Sequence, residues 1–230
     1  MPIKGFQGTS LLDYPGSIAS LIFWGGCNLA CPFCHNPALV VDQEQLPDYP
    51  VDVLLADLHS RRSFVDGVVV SGGEPTLDPD LPGILRSIKE LGLLVKLDTN
   101  GLRPDVLEDL LAEKLLDYVA LDLKTSPARY DELGARGGGE NLKQSIELLL
   151  HAPMDYEFRT TCAPGLVGAE ELSELGRYVS GGRIWVLQQF QPGPSLDPCW
   201  REKDPYPVET IRGFGDLIQP YVEEVVLRGI

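Results

Sequence analysis

The chain has 230 residues, 43% of them hydrophobic and 23% charged, with 19 basic against 34 acidic side chains and a formal net charge of −15. That size and balance suit one globular domain with a full core. The charge argues against duplex nucleic acid, whose binding relies on Lys and Arg neutralising phosphates, and the longest apolar run falls well short of a membrane span. The opening Met-Pro-Ile-Lys-Gly-Phe-Gln-Gly has no basic segment followed by an apolar one, so no secretory signal is expected and a cytoplasmic location is. In that reducing setting clustered cysteines point to metal or catalysis rather than disulfides.

Residues 17–23 (SIASLIF) read as a mostly buried strand. Gly25-Gly26 and the cysteines Cys27, Cys31 and Cys34 follow, then a Pro- and acid-containing connection over 37–50. The spacing of Val53, Leu54 and Leu58 predicts a helix over 51–60, with Asp52 as its cap. A short apolar strand at 68–70 ends in Ser71-Gly72-Gly73-Glu74-Pro75, and a helix over 79–91 is stopped by Gly92. The next strand, 93–97, leads into Asp98-Thr99-Asn100-Gly101. A helix over 104–113 and a strand over 118–123 bring the chain to Asp122-Leu123-Lys124, and a Gly-rich stretch at 136–140 is expected to be mobile. Helices at 142–150, 170–178 and 208–218 then alternate with strands at 156–161, 184–189 and 222–227.

One helix per strand implies parallel βαβ units with right-handed crossovers. The expected fold is α/β, a partial (β/α)6-type TIM barrel of parallel strands. A single domain spans 1–230, its core about 17–190, and residues 191–230 add a helix and the last strand. The polar motifs at 27–34, 71–75, 98–100, 122–124 and 188–191 all sit at carboxyl ends of predicted strands, the edge where such folds assemble their sites.

Three cysteines spaced C-x-x-x-C-x-x-C make a soft-ligand claw, which selects zinc, copper or iron–sulfur clusters. With no fourth cysteine nearby, a cube held here keeps one iron open for chemistry. Two other readings compete. Cys31-Pro32-Phe33-Cys34-His35 is a literal C-x-x-C-H haem-attachment motif, but that needs export and leaves Cys27 unexplained. Three Cys plus His35 make a normal structural zinc shell, although adjacent Cys34 and His35 seldom both reach one tetrahedral ion. Gly-Gly-Glu-Pro taken alone is an ordinary turn.

The cysteine spacing, with aromatic Phe33 before the last Cys, resembles the radical S-adenosylmethionine (radical SAM) superfamily, and Ser71-Gly72-Gly73-Glu74-Pro75 resembles its Gly-Gly-Glu motif. More narrowly, Gly5-Phe6-Gln7-Gly8-Thr9-Ser10, Asp13-Tyr14-Pro15-Gly16, Gly26-Cys27-Asn28 and Cys34-His35-Asn36-Pro37 resemble the activating proteins of glycyl radical enzymes, in particular those of anaerobic ribonucleoside-triphosphate reductase. The resemblance spans about residues 5 to 190. It implies one four-iron, four-sulfur cluster on Cys27, Cys31 and Cys34, with SAM chelated at the open iron. Reductive cleavage then gives a 5′-deoxyadenosyl radical, which takes hydrogen from a glycine of a partner enzyme. Flavodoxin or ferredoxin is implied as the electron donor. Phe33, Gly72, Gly73, Glu74, Asp98, Thr99, Asp122, Lys124 and Arg159 are carried over as the cofactor-binding set. Within it Glu74 accepts from the SAM amine, and Asp98, Thr99 and Asp122 hold a monovalent cation near the SAM carboxylate. Lys124 reaches that carboxylate, and Arg159 contacts SAM or a strand-end carboxylate.

The chain departs from the pattern in having no Cys-rich insert between 35 and 70. Gln188-Gln189-Phe190-Gln191-Pro192 stands where some activases place a ribose-facing His, with Gln189 or Gln191 as stand-ins. Cys162 and Cys199 read as core or surface thiols, and His59 and His151 as helix-surface residues. An alternative function keeps the radical chemistry and acts on a small molecule, as 7-carboxy-7-deazaguanine synthase does, which implies an enclosed polar pocket rather than an open mouth.

Overall fold

In the computed structural model, which describes residues 2–230, eight strands are hydrogen-bonded in sequence order: β1 (Ile3–Ser10), β2 (Ala19–Trp24), β3 (Gly67–Gly72), β4 (Leu94–Thr99), β5 (Tyr118–Asp122), β6 (Asp155–Cys162), β7 (Gly182–Gln189) and β8 (Val222–Arg228). The helices between them are α1 (Pro37–Val41), α2 (Val51–Arg61), α3 (Leu81–Glu90), α4 (Pro104–Ala112), α5 (Gly138–Leu150), α6 (Ala169–Tyr178) and α7 (Val208–Ile218). Among the described residues no helix is long and apolar enough to cross a membrane. The chain forms two compact units.

The first unit comprises Met1–Asn28, Asn36–Thr99 and Asp105–Val119. β2 is parallel to β3, and β3 to β4. Ala19, Leu21, Ile22, Trp24 and Val68–Val70 are almost fully buried, as expected of strands covered on both faces. α3 buries Leu81, Ile84, Leu85 and Ile88, an i, i+3, i+4, i+7 stripe, and ends just short of Gly92, whose φ is +79°. The strand the sequence did not announce is β1. It pairs antiparallel with β2 through a shifting register, and its two glycines and polar residues leave most of it half-buried, so it shows no apolar run. The expected 37–50 connection also contains α1 and a 3-10 turn at Gln43–Gln45.

The second unit comprises Leu29–His35, Asn100–Pro104 and Ala120–Ile230. β6, β7 and β8 are parallel. A bidentate ion pair from Arg228 in β8 to buried Glu157 in β6 ties the last strand down, with nitrogen–oxygen distances of 2.7 and 3.1 Å. The Gly-rich stretch expected to be mobile is instead the first turn of α5, with Gly138 and Gly139 buried. A Cβ on Gly139 would stand 2.2 Å from the Pro127 carbonyl oxygen. The glycines therefore serve close packing on the 3-10 segment Pro127–Leu133.

Candidate functional site

In the first unit the Gly-Gly-Glu segment is zipped onto the end of β2. Gly73 N donates to Trp24 O and Glu74 N to Gly26 O, both at 2.8 Å. Gly72 has φ +118°, and a Cβ on Gly73 would lie 1.9 Å from Gly26 O. Only glycine fits. These glycines let the strand end approach the chain's own Trp24–Gly26, just before Cys27. Glu74, expected to meet the SAM amine, is fully buried. Its Oε1 accepts from Thr76 N at 3.1 Å, Thr76 Oγ1 at 2.5 Å and Thr99 Oγ1 at 2.7 Å. A carboxylate closed off from solvent with three donors on one oxygen braces a loop. Asp98 keeps Oδ1 against Lys96 Nζ, and its Oδ2 accepts from Ser71 Oγ at 3.4 Å. Lys96 is 1% exposed and lies 5.8 Å from the Tyr118 ring centroid.

In the second unit the segment Leu29–His35 is held by residues far along the chain. Ala30 N donates to Leu133 O at 2.8 Å and Asp197 N to Pro32 O at 3.0 Å. His35 Nε2 lies 2.9 Å from the Gln191 carbonyl, an acceptor only, and so donates to it. Phe33 is buried against Trp200, with ring centroids 5.8 Å apart, and Trp200 meets Phe190 edge-on at 5.6 Å. Lys203 Nζ sits 3.7 Å over the Trp200 ring. Nothing local announces this clamp, because a tryptophan in a proline-rich loop names no partner. Arg159 Nε is 2.9 Å from Asp122 Oδ1, and Lys124 Nζ is 3.0 Å from Asp122 Oδ2. Burial pushes the Asp122 carboxyl up, but the Arg159 guanidinium and Lys124 ammonium prevail and hold it well below the usual carboxylate range. Burial likewise opposes the Lys124 charge, yet Asp122 and then Cys31 keep its value raised. Burial also drives the Tyr130 phenol up, and its oxygen accepts from Lys124 N at 3.1 Å.

The remaining expected residues fall as follows. None of the five cysteines is in a disulfide; Cys31 is buried and Cys27 and Cys34 are half-buried. Among the described residues no three His, Cys, Asp or Glu side chains are already gathered as a metal cage. Gln189 spends its amide on the Tyr206 carbonyl at 2.8 Å, and Gln191 is exposed. Burial pushes the Cys162 thiol up to about 12. Cys199, His59 and His151 are at the surface.

A model of the Radical SAM superfamily matches residues 21–175. The chain belongs to the radical SAM superfamily. Its relatives narrow the branch. It is 35% identical over 235 residues, 99% of this chain and 96% of the relative, to a Methanocaldococcus jannaschii protein that carries the provisional name glycyl-radical enzyme activating enzyme MJ1227. It is 30% identical over 227 residues, 91% of this chain and 84% of the relative, to the pyruvate formate-lyase-activating enzyme of Streptococcus mutans serotype c. This radical SAM enzyme therefore sits in the glycyl-radical activase family. Among solved structures, Streptococcus suis SuiB bound to S-adenosylmethionine aligns with a TM-score of 0.67 at 16% identity, covering 91% of this chain and 52% of that one. A domain of pyruvate-formate lyase-activating enzyme from Bacteroides vulgatus aligns at 0.56 and 17%, covering 71% and 99%. At such identities the likeness concerns the fold, the expected α/β partial-barrel class.

Radical SAM proteins work with a four-iron, four-sulfur cluster and SAM, and the residues present fit both. Three unoxidised thiols on one loop are the soft donors a cluster takes. The paired cations Lys124 and Arg159 suit the SAM carboxylate. The family match sets the zinc reading aside; the His35 ring does not decide the point, since its Nε2 donates to a backbone carbonyl and its Nδ1 stays available as a donor atom.

Proposed function

We propose that this radical SAM enzyme activates a glycyl radical enzyme, and that its protein substrate is an anaerobic ribonucleoside-triphosphate reductase. The observation that carries the reading is the three-thiol loop on a chain 35% identical to the M. jannaschii relative over 99% of its length. The choice of reductase rests on the motifs at 5–16 and 34–37. Cys27, Cys31 and Cys34 would hold the cluster, which together with SAM supplies one-electron cleavage and hydrogen abstraction. Phe33, buried under Trp200, keeps water from the loop. Gly72, Gly73 and Glu74 fix the approach of the next strand end to Gly26, with Thr99 as the brace beneath Glu74. Lys124 and Arg159, anchored on Asp122, present fixed positive charge to the SAM carboxylate. A flavodoxin or ferredoxin supplies the electron.

The test mixes anaerobically reconstituted protein with SAM, dithionite and the reductase, and looks for a glycyl signal by electron paramagnetic resonance. A signal that the Cys31→Ala variant fails to give supports the reading. Release of 5′-deoxyadenosine with no glycyl signal overturns the choice of partner, and release by Cys31→Ala overturns the ligand assignment.

A further inference from the structure

Each of the two carboxylates expected to hold a monovalent cation stands two residues from a lysine. The order is Lys96-Leu97-Asp98 at the end of β4 and Asp122-Leu123-Lys124 at the end of β5. Residues i and i+2 of an extended segment share a face, and in both cases the lysine has folded onto the carboxylate. Every oxygen of the two is met by a donor of the chain: Asp98 by Lys96 and Ser71, Asp122 by Arg159 and Lys124. A metal cation at either carboxylate would meet a fixed ammonium already there. Lys96 is the more telling of the two. It is 1% exposed and its partner 13%, and a buried pair of this kind gives little net stability over apolar replacements, because desolvation offsets the attraction. Stability is thus a poor reason for an ammonium at that depth.

We propose that Lys96 is a built-in cation, its ammonium supplying at Asp98 the positive charge that a bound monovalent ion would bring, so that SAM binding by this protein is independent of sodium and potassium. This rests on the radical SAM reading of the site, while the ionic arrangement itself is a property of the chain alone.

The test has two arms. Cluster-free protein is melted in potassium, sodium, ammonium and N-methylglucamine chloride at matched ionic strength, and reconstituted protein is titrated with SAM in the same salts. Wild type should melt and bind SAM alike in all four. Lys96→Ala should bind SAM about tenfold more weakly in N-methylglucamine and recover most of that loss in potassium or ammonium. It should also gain a potassium-dependent rise in melting temperature without its cluster. A wild-type preference for potassium or sodium of about tenfold overturns the proposal whether or not the variant folds. So does a Lys96→Ala defect that no cation restores, which would make the lysine a structural part only. If no cluster assembles in wild type, the radical SAM reading falls, and the melting arm still decides the role of Lys96.

Discussion

Two loops that lead to or carry expected cofactor residues share a pair of backbone bonds each and differ in what is added to them. The Gly-Gly-Glu turn of the first unit is fixed by backbone: two amide bonds to Trp24 and Gly26, and a glycine where any Cβ would strike a carbonyl. The segment Leu29–His35 of the second unit also has two backbone bonds, from Ala30 to Leu133 and from Asp197 to Pro32, and adds side chains to them, with Phe33 against Trp200 and the His35 ring against the Gln191 carbonyl. The first kind of hold tolerates no substitution at its contact point. The second spreads over several residues and can be weakened in steps.

The sharpest way to break this contrast is Gly73→Ala. With the added carbon 1.9 Å from Gly26 O, and backbone rather than a flexible tip in the way, the variant should lose more than about 3 kcal/mol in urea unfolding. A loss below about 1 kcal/mol would show that the turn can move and that its backbone hold is not decisive. Next in size is Trp200→Ala, expected to cost about 3 kcal/mol and to hasten loss of cluster absorbance in air. Trp200→Phe should restore most of both, and equal cluster lifetimes in all three proteins would remove the clamp from the site. The smallest effect concerns acid. Asp122 keeps a depressed value in the folded chain, whereas an unfolded aspartate titrates at about 3.9. Its contribution is therefore complete above about pH 4 and fades as pH falls further, because the unfolded chain takes up a proton the folded one refuses. Asp122→Asn should flatten the acid limb of a stability–pH curve below about pH 4, and an unchanged limb would detach Asp122 from its two cations.

What the sequence disclosed follows the same division. Buried runs such as Val68–Val70 and the Leu81, Ile84, Leu85, Ile88 stripe carry their partners' nature in their own period, so strands and helices could be placed within a few residues. The cysteine spacing and Gly-Gly-Glu are local patterns and were readable as such. β1 was not, because an edge strand rich in glycine and polar residues has no period to show. The burial of Glu74 is not legible in its motif, because the donors on its carboxylate come from residues 76 and 99. Trp200 and Lys96 were passed over for related reasons: one finds its partner about 170 positions away, the other lies inside a strand where only the K-x-D spacing hints at a pairing.

Trp200 has one practical use. An indole seated on the ring next to Cys34 is a natural fluorophore beside the thiols, and iron–sulfur chromophores absorb broadly across its emission. Filling the loop with iron and sulfide should therefore dim the protein's own light, giving a dye-free clock for assembly that can be read inside a sealed cuvette.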